Sequence, residues 1–132
     1  MRIGNKENFI ELESQVEADS SLSSYGDVLI GIFVSSNGYQ GRNQVWVSQQ
    51  ALKSFSDSLI ELEKNRKGEA VLISMIPKEL HLRVYAYDRV GHFAVEVETG
   101  YSVTGNVCFD HAVQCGFELQ PELLVKLAKA RW

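Results

Sequence analysis

One stretch of this sequence has a single satisfactory way to pair with itself. Leu80-His81-Leu82-Arg83-Val84-Tyr85-Ala86-Tyr87 and His92-Phe93-Ala94-Val95-Glu96-Val97-Glu98 flank the turn-forming tetrapeptide Asp88-Arg89-Val90-Gly91. Closing that turn with Tyr87 opposite His92 sets Ala86 against Phe93, Val84 against Val95 and Leu82 against Val97, so one face is wholly apolar. The same register sets Arg83 against Glu96 and His81 against Glu98 on the other face, pairs of complementary character that contribute about 0.2–1 kcal/mol each. Because one register satisfies both faces, the middle of the chain is committed to an antiparallel hairpin.

The flanking segments extend that hairpin into a sheet. Upstream, Ala70 to Ile76 is an apolar strand, and Pro77-Lys78-Glu79 is a turn that joins it to the hairpin as a meander. Downstream, Val107, Phe109, Val113, Phe117 and Leu119 share one parity, which predicts a strand that is long, bent or interrupted near Gly116. Nearer the start, Phe9 to Glu17 alternates Ile10, Leu12 and Val16 with Glu11, Glu13 and Glu17, the period of a half-buried strand with an acidic outer face. Val28-Leu29-Ile30-Gly31-Ile32-Phe33-Val34 is apolar on both faces and reads as a central strand. Ser35 to Asn43 then reads as a loop, followed by a short strand Gln44-Val45-Trp46-Val47.

Two helices complete the pattern. Ser48 can accept a bond from an orphan amide, and Leu52, Phe55, Leu59 and Leu62 recur at spacings of three and four. Asn65-Arg66-Lys67-Gly68 ends that helix, with cations near the negative end of its dipole and Gly68 suited to a left-handed cap. Pro121 opens a shorter helix that docks Leu123, Leu124, Leu127 and Ala128. The expectation is a single α+β domain over residues 1–132: an antiparallel sheet of about six or seven strands, the long helix across one face and the short C-terminal helix at an edge.

Composition limits the function classes. The length of 132 residues suits one core. The longest apolar stretch, Val28 to Val34, is far short of the roughly 20 residues of a membrane-crossing helix. The first residues lack the apolar centre and cleavage site of a secretory signal, so a cytoplasmic location is expected. A formal charge of −4 repels a polyphosphate backbone, which argues against nucleic acid and leaves a protein as the expected partner. Cys108 and Cys115 lie seven positions apart, on opposite faces of one strand and about 24 Å from each other at the usual rise, so they are expected as free thiols.

Cys108, Asp110, His111 and Cys115 could hold zinc only if they converged, and strand parity sends the first two to one face and the last two to the other. A Cys–His nucleophilic pair drawn from Cys108 or Cys115 with His81, His92 or His111 has no local signature in its favour. Gly38-Tyr39-Gln40-Gly41 lacks the Lys-Ser/Thr and the following helix of a phosphate loop. Neither Gly-x-Ser-x-Gly nor His-Glu-x-x-His occurs. The expectation is therefore a non-enzymatic domain with no catalytic, metal-ligating or cofactor-binding residues.

Binding residues are expected around the glycine-rich loop. Tyr39, Arg42 and Trp46 are of the types that most often anchor protein interfaces, and the predicted core does not need them. Tyr39 and Arg42 are expected to be exposed on one surface with the Trp46 strand. The competing reading makes Trp46 core. The acidic face of Glu11, Glu13 and Glu17 is either an ordinary solvated strand face or a surface offered to a basic partner.

The order of these segments also resembles a family of small bacterial proteins, many of them uncharacterised. The resemblance is carried by Gly38-Tyr39-Gln40-Gly41 with Val45-Trp46-Val47, the Phe55 to Leu62 helix, Gly68-Glu69-Ala70-Val71-Leu72, Leu80-His81-Leu82-Arg83-Val84, Asp88-Arg89-Val90-Gly91-His92, and Phe117-Glu118-Leu119 with Pro121. Some members are grouped with WapI-like immunity proteins of bacterial toxin systems. The resemblance implies a small cytoplasmic antidote that binds a toxin and blocks it without a reaction of its own. Where that family often places Asp before the proline of the last helix, this chain has Gln120. The alternative expectation is a structural or regulatory interaction module that self-associates through a sheet edge, with an undetected enzyme behind both.

Overall fold

The chain forms eight strands and two helices in a computed structural model that describes residues 1–130. The strands are β1 (Arg2–Gly4), β2 (Asn8–Val16), β3 (Val28–Ser36), β4 (Tyr39–Val47), β5 (Glu69–Ile73), β6 (Leu80–Ala86), β7 (Phe93–Val103) and β8 (Phe109–Leu119). Helix α1 (Gln49–Asn65) separates β4 from β5, and α2 (Pro121–Lys129) follows β8. The class is α+β as expected, but the single sheet of six or seven strands is corrected to two antiparallel meanders of four, ordered β1-β2-β3-β4 and β5-β6-β7-β8. Both sheets bury one face in the same core. Ile10, Ile30, Val34 and Val45 from the first join Leu72, Leu82, Val84 and Val95 from the second. Hydrophobic alternation is identical for one sheet or two facing sheets, which is why the number of layers was not legible.

The central hairpin has the register read from its side chains. Ala86 faces Phe93, Val84 faces Val95, Leu82 faces Val97, and on the other side Arg83 faces Glu96 and His81 faces Glu98. The Tyr87 amide donates to the His92 carbonyl at 3.0 Å, closing the turn. On the outer face the Arg83 guanidinium pairs with Glu69 and, at 3.5 Å, with Glu96, while lying 3.8 Å from the Tyr85 ring centroid.

Two boundaries differ from expectation for local reasons. Asn37 and Gly38 both adopt positive φ, 52° and 87°, and make a two-residue hairpin turn with Ser36 facing Tyr39. The expected loop from Ser35 to Asn43 is thus mostly strand. Beyond Ile73 the chain leaves β5, because the Ser74 hydroxyl donates to the Ile76 carbonyl at 2.6 Å and accepts the Leu80 amide at 2.8 Å, tying a turn across Pro77. Of the forms left open for the closing strand the long one is found, since β8 runs through Gly116 without a break in its pairing.

Helix α1 begins where expected, with the Ser48 hydroxyl accepting the Ala51 amide at 3.0 Å, and buries Leu52, Phe55, Leu59 and Leu62. The left-handed cap falls on Arg66 (φ 59°), not on Gly68, so that its amide reaches the Leu62 carbonyl. Helix α2 packs against α1 and β1, burying Leu124 and Leu127. Its N-cap, Gln120, is extended but makes no side-chain capping bond. Gln120→Asp should therefore raise unfolding free energy by about 0.5–1 kcal/mol, because a carboxylate of the right length reaches an amide that Gln leaves unbonded. Urea melts of the two proteins measure this; an unchanged midpoint would contradict it.

The sheets meet where β4 crosses the β7–β8 pair. The Asn43 side-chain amide donates to the Gly100 carbonyl at 2.7 Å and the Thr99 hydroxyl at 3.2 Å, while the Glu79 carbonyl accepts the Thr99 hydroxyl at 2.6 Å and the Gly100 amide at 3.2 Å. The Met75 amide reaches the Trp46 carbonyl at 2.8 Å on the edge of β4. These bonds, made from the inward parity of β4 and from its edge, fix the first sheet relative to the far half of the β7–β8 ribbon.

Candidate functional site

The first sheet buries the even positions of β3 and presents Leu29, Gly31, Phe33 and Ser35 on its other side, which no helix covers among the described residues. An interior strand with an apolar outer face must find cover from its neighbours. Phe33 does so in a row across the sheet. The Arg42 guanidinium lies 4.0 Å from its ring centroid, Phe9 meets it edge-on with centroids 5.7 Å apart, and Arg2 lies 3.9 Å from the Phe9 centroid. Each cation–ring contact contributes about 0.5–1 kcal/mol at an exposed site. Arg2 also pairs with Glu11, so the row ends in a salt bridge.

Beside this row the sheet is hollow. Gly31 faces Glu13 on β2 and Gln44 on β4, and the missing side chain leaves a groove of about 610 Å³ lined by Glu11, Glu13, Phe33, Arg42, Gln44 and Tyr101. Pairing runs through Gly31 without a bulge, and a Cβ built there comes no nearer to its surroundings than 4.0 Å, at the Glu13 carbonyl. Neither backbone geometry nor packing within the chain requires glycine at this position. Glycine inside a strand weakens it, and it often marks a bulge, a tight bend or a place where a ligand or another backbone comes close.

The three residues expected to bind a partner are divided by the fold. Arg42 and Trp46 lie on the outer face, Arg42 exposed at the groove and Trp46 half-buried opposite Leu29. Trp46 is therefore not part of the core between the sheets. Tyr39 is 70% exposed, as expected, but it belongs to the opposite parity of the same unbroken strand, so it does not share the face of Arg42 and Trp46. The expectation of one surface assumed a loop where the chain is already alternating. Of the acidic strand residues, Glu11 and Glu13 line the groove, and the Glu13 carboxylate has neither a hydrogen bond nor an ion pair among the described residues. Gly31, Phe33, Gln44 and Tyr101 were not singled out from sequence. The signal available was the lone glycine in an otherwise bulky apolar strand; Tyr101 comes from another sheet and had none.

Cys108 and Cys115 are free, one exposed and one half-buried, and burial pushes the Cys115 thiol up. Among the described residues no three His, Cys, Asp or Glu side chains gather around a common point. At the hairpin turn, Asp88 accepts the Val90 and His92 amides at 2.9 and 3.2 Å and the His92 Nδ1 lies 2.6 Å from its other oxygen, with the ring stacked on Tyr87.

That arrangement sets a pH dependence. The hydrogen bond to the His92 side chain, helped by the two amides and opposed by desolvation, holds the Asp88 carboxyl below the usual aspartate range. Folding thus favours the ionised form. The stabilisation is present above the unfolded pKa and is lost as pH falls through the folded one. Carboxyl NMR titration should give Asp88 a midpoint below that of an aspartate in an unfolded peptide, and Asp88→Asn should flatten the acid side of the stability profile. A midpoint at the ordinary value would contradict the turn geometry.

No helix among the described residues is long and apolar enough to cross a membrane. Comparison with models of known protein families, with curated proteins and with solved structures gave no match to this chain.

Proposed function

We propose that this chain is a protein-binding domain that acts by occupying its partner, in the manner of the immunity proteins its sequence resembles, and that it does so through the outer face of the first sheet. The observation that carries this reading is Gly31, a glycine that the chain's own geometry does not require, at the floor of an open groove. The lining supports it. Arg42, Tyr101 and Phe33 are of the kind that anchor protein interfaces, and Glu13 offers an unpaired carboxylate beside them. Arg42 is already held against Phe33, so less side-chain freedom is lost when a partner docks.

The test is affinity capture from lysate of the source cell with two baits, the wild-type chain and Gly31→Val, followed by mass spectrometry. The proposal predicts a protein retained by wild type and lost with Gly31→Val. A toxin among the retained proteins, whose activity the wild-type chain suppresses, supports the immunity reading. Equal retention by both baits contradicts the groove as the binding surface.

A further inference from the structure

We infer that the chain self-associates into a two-fold dimer by pairing β8 with β8 of a second copy. The starting point is the far half of the β7–β8 ribbon. Pairing continues to Val103 opposite Phe109, yet every residue from Tyr101 to Ala112 is exposed. On one face of this arm the core parity of the second sheet runs on into solvent as Tyr101, Val103, Phe109 and His111. Tyr101 is 48%, Val103 47%, Val107 63% and Phe109 61% exposed. Together they present on the order of 400 Å² of largely apolar side chain, the size at which a patch on a single chain marks an interaction surface. The first sheet meets this ribbon at its root, where Gly41 lies against Val113, and beyond that crossing a two-stranded ribbon is marginal in water by itself.

The second observation is the edge. Strand β1 has only three residues, β5 packs against α1, and β4 is engaged by Met75 and Asn43. Strand β8 is an edge of 11 residues with no proline or lysine and no backbone partner on its outer side among the described residues. Such an edge is a template for another strand. Its outward groups can be assigned. The Gly100 amide turns away from β8 to the Glu79 carbonyl, so the opposed pair Gly100–Ala112 is not hydrogen-bonded, and by alternation the amides of Asp110, Ala112, Gln114, Gly116 and Glu118 point outward.

A second copy fits this edge because the strand is complementary to itself. Antiparallel pairing centred on Val113, at the junction of arm and body, sets Phe109 opposite Phe117, His111 opposite Cys115, Asp110 opposite Gly116 and Ala112 opposite Gln114. Apolar residues then meet on one face, no like charges oppose each other, and outward amides face outward carbonyls. Each exposed arm lies alongside the half-buried body strand of the other copy, whose Cys115 and Phe117 still have accessible sides. The contact is isologous and therefore closes at two chains.

The test is sedimentation equilibrium of the purified full chain from micromolar to millimolar concentration. The expected species has twice the 14.8 kDa chain mass. Gln114→Pro removes an outward amide without touching the β7 ladder and should give a monomer with wild-type circular dichroism; should it fail to fold, Phe109→Glu, on an exposed position, decides the same point. Val113→Cys in a Cys108→Ser, Cys115→Ser background should cross-link to a dimer on mild oxidation. A wild-type chain that stays monomeric throughout overturns the inference. So does a dimer that persists in Gln114→Pro or Phe109→Glu.

Discussion

Gly100→Ala should cost about 3 kcal/mol of unfolding free energy, at the upper end of overpacking penalties. A Cβ at Gly100 would stand 2.1 Å from the His111 carbonyl oxygen and 2.9 Å from the Ala112 Cα. Both are backbone atoms of the paired strand, so no side-chain rotation relieves the clash. The strands must separate, and Gly100 is held on its other side. Its amide donates to Glu79 and its carbonyl accepts from Asn43. Moving it strains the polar contacts that hold the two sheets together. Gly41→Ala is the control, since the added Cβ meets Val113 Cγ1 at 2.5 Å, a side chain that can turn, and about 1 kcal/mol is expected. Urea melts of the two variants should rank them in that order. Equal losses would mean that the sheets do not meet as described.

Gly31→Val should do the opposite to the fold and the most to binding. The nearest atom to a new Cβ is 4.0 Å away, and the position is in an interior strand where a β-branched residue gains up to about 1 kcal/mol over glycine. The valine would occupy the floor of the groove between Glu13 and Gln44. A partner seated there loses a pocket contact and meets a new obstruction, which should weaken affinity by at least about 2 kcal/mol, or roughly thirtyfold. A variant that is at least as stable as wild type and binds worse separates a binding role from a folding role.

The middle of the chain was legible because its two faces make independent demands that one register satisfies, Leu82 with Val97 inside and Arg83 with Glu96 outside. Helix α1 was legible for a similar reason, with Ser48 starting it and Leu52, Phe55, Leu59 and Leu62 recurring on one stripe. The division into two sheets was not. Alternation tells which residues of a strand are buried, but not whether a neighbouring strand or a facing layer buries them. The Asn37-Gly38 hairpin sits in a run of turn formers that reads as loop, and a loop there puts Tyr39 on the wrong face, since three positions along a strand reverse the side. The groove was half legible. Arg42 and the Glu11 and Glu13 face were identified, whereas Tyr101 reaches the site only because Asn43 and Gly100 join the sheets.

The central claim is that the outer face around Gly31 is where a protein partner docks, and calorimetric titration of the captured partner with wild type and Gly31→Val, alongside urea melts of both, tests it most directly. The account predicts affinity reduced at least about thirtyfold in Gly31→Val with the unfolding midpoint unchanged or raised. Equal affinities for the two proteins, with Gly31→Val fully folded, would contradict it.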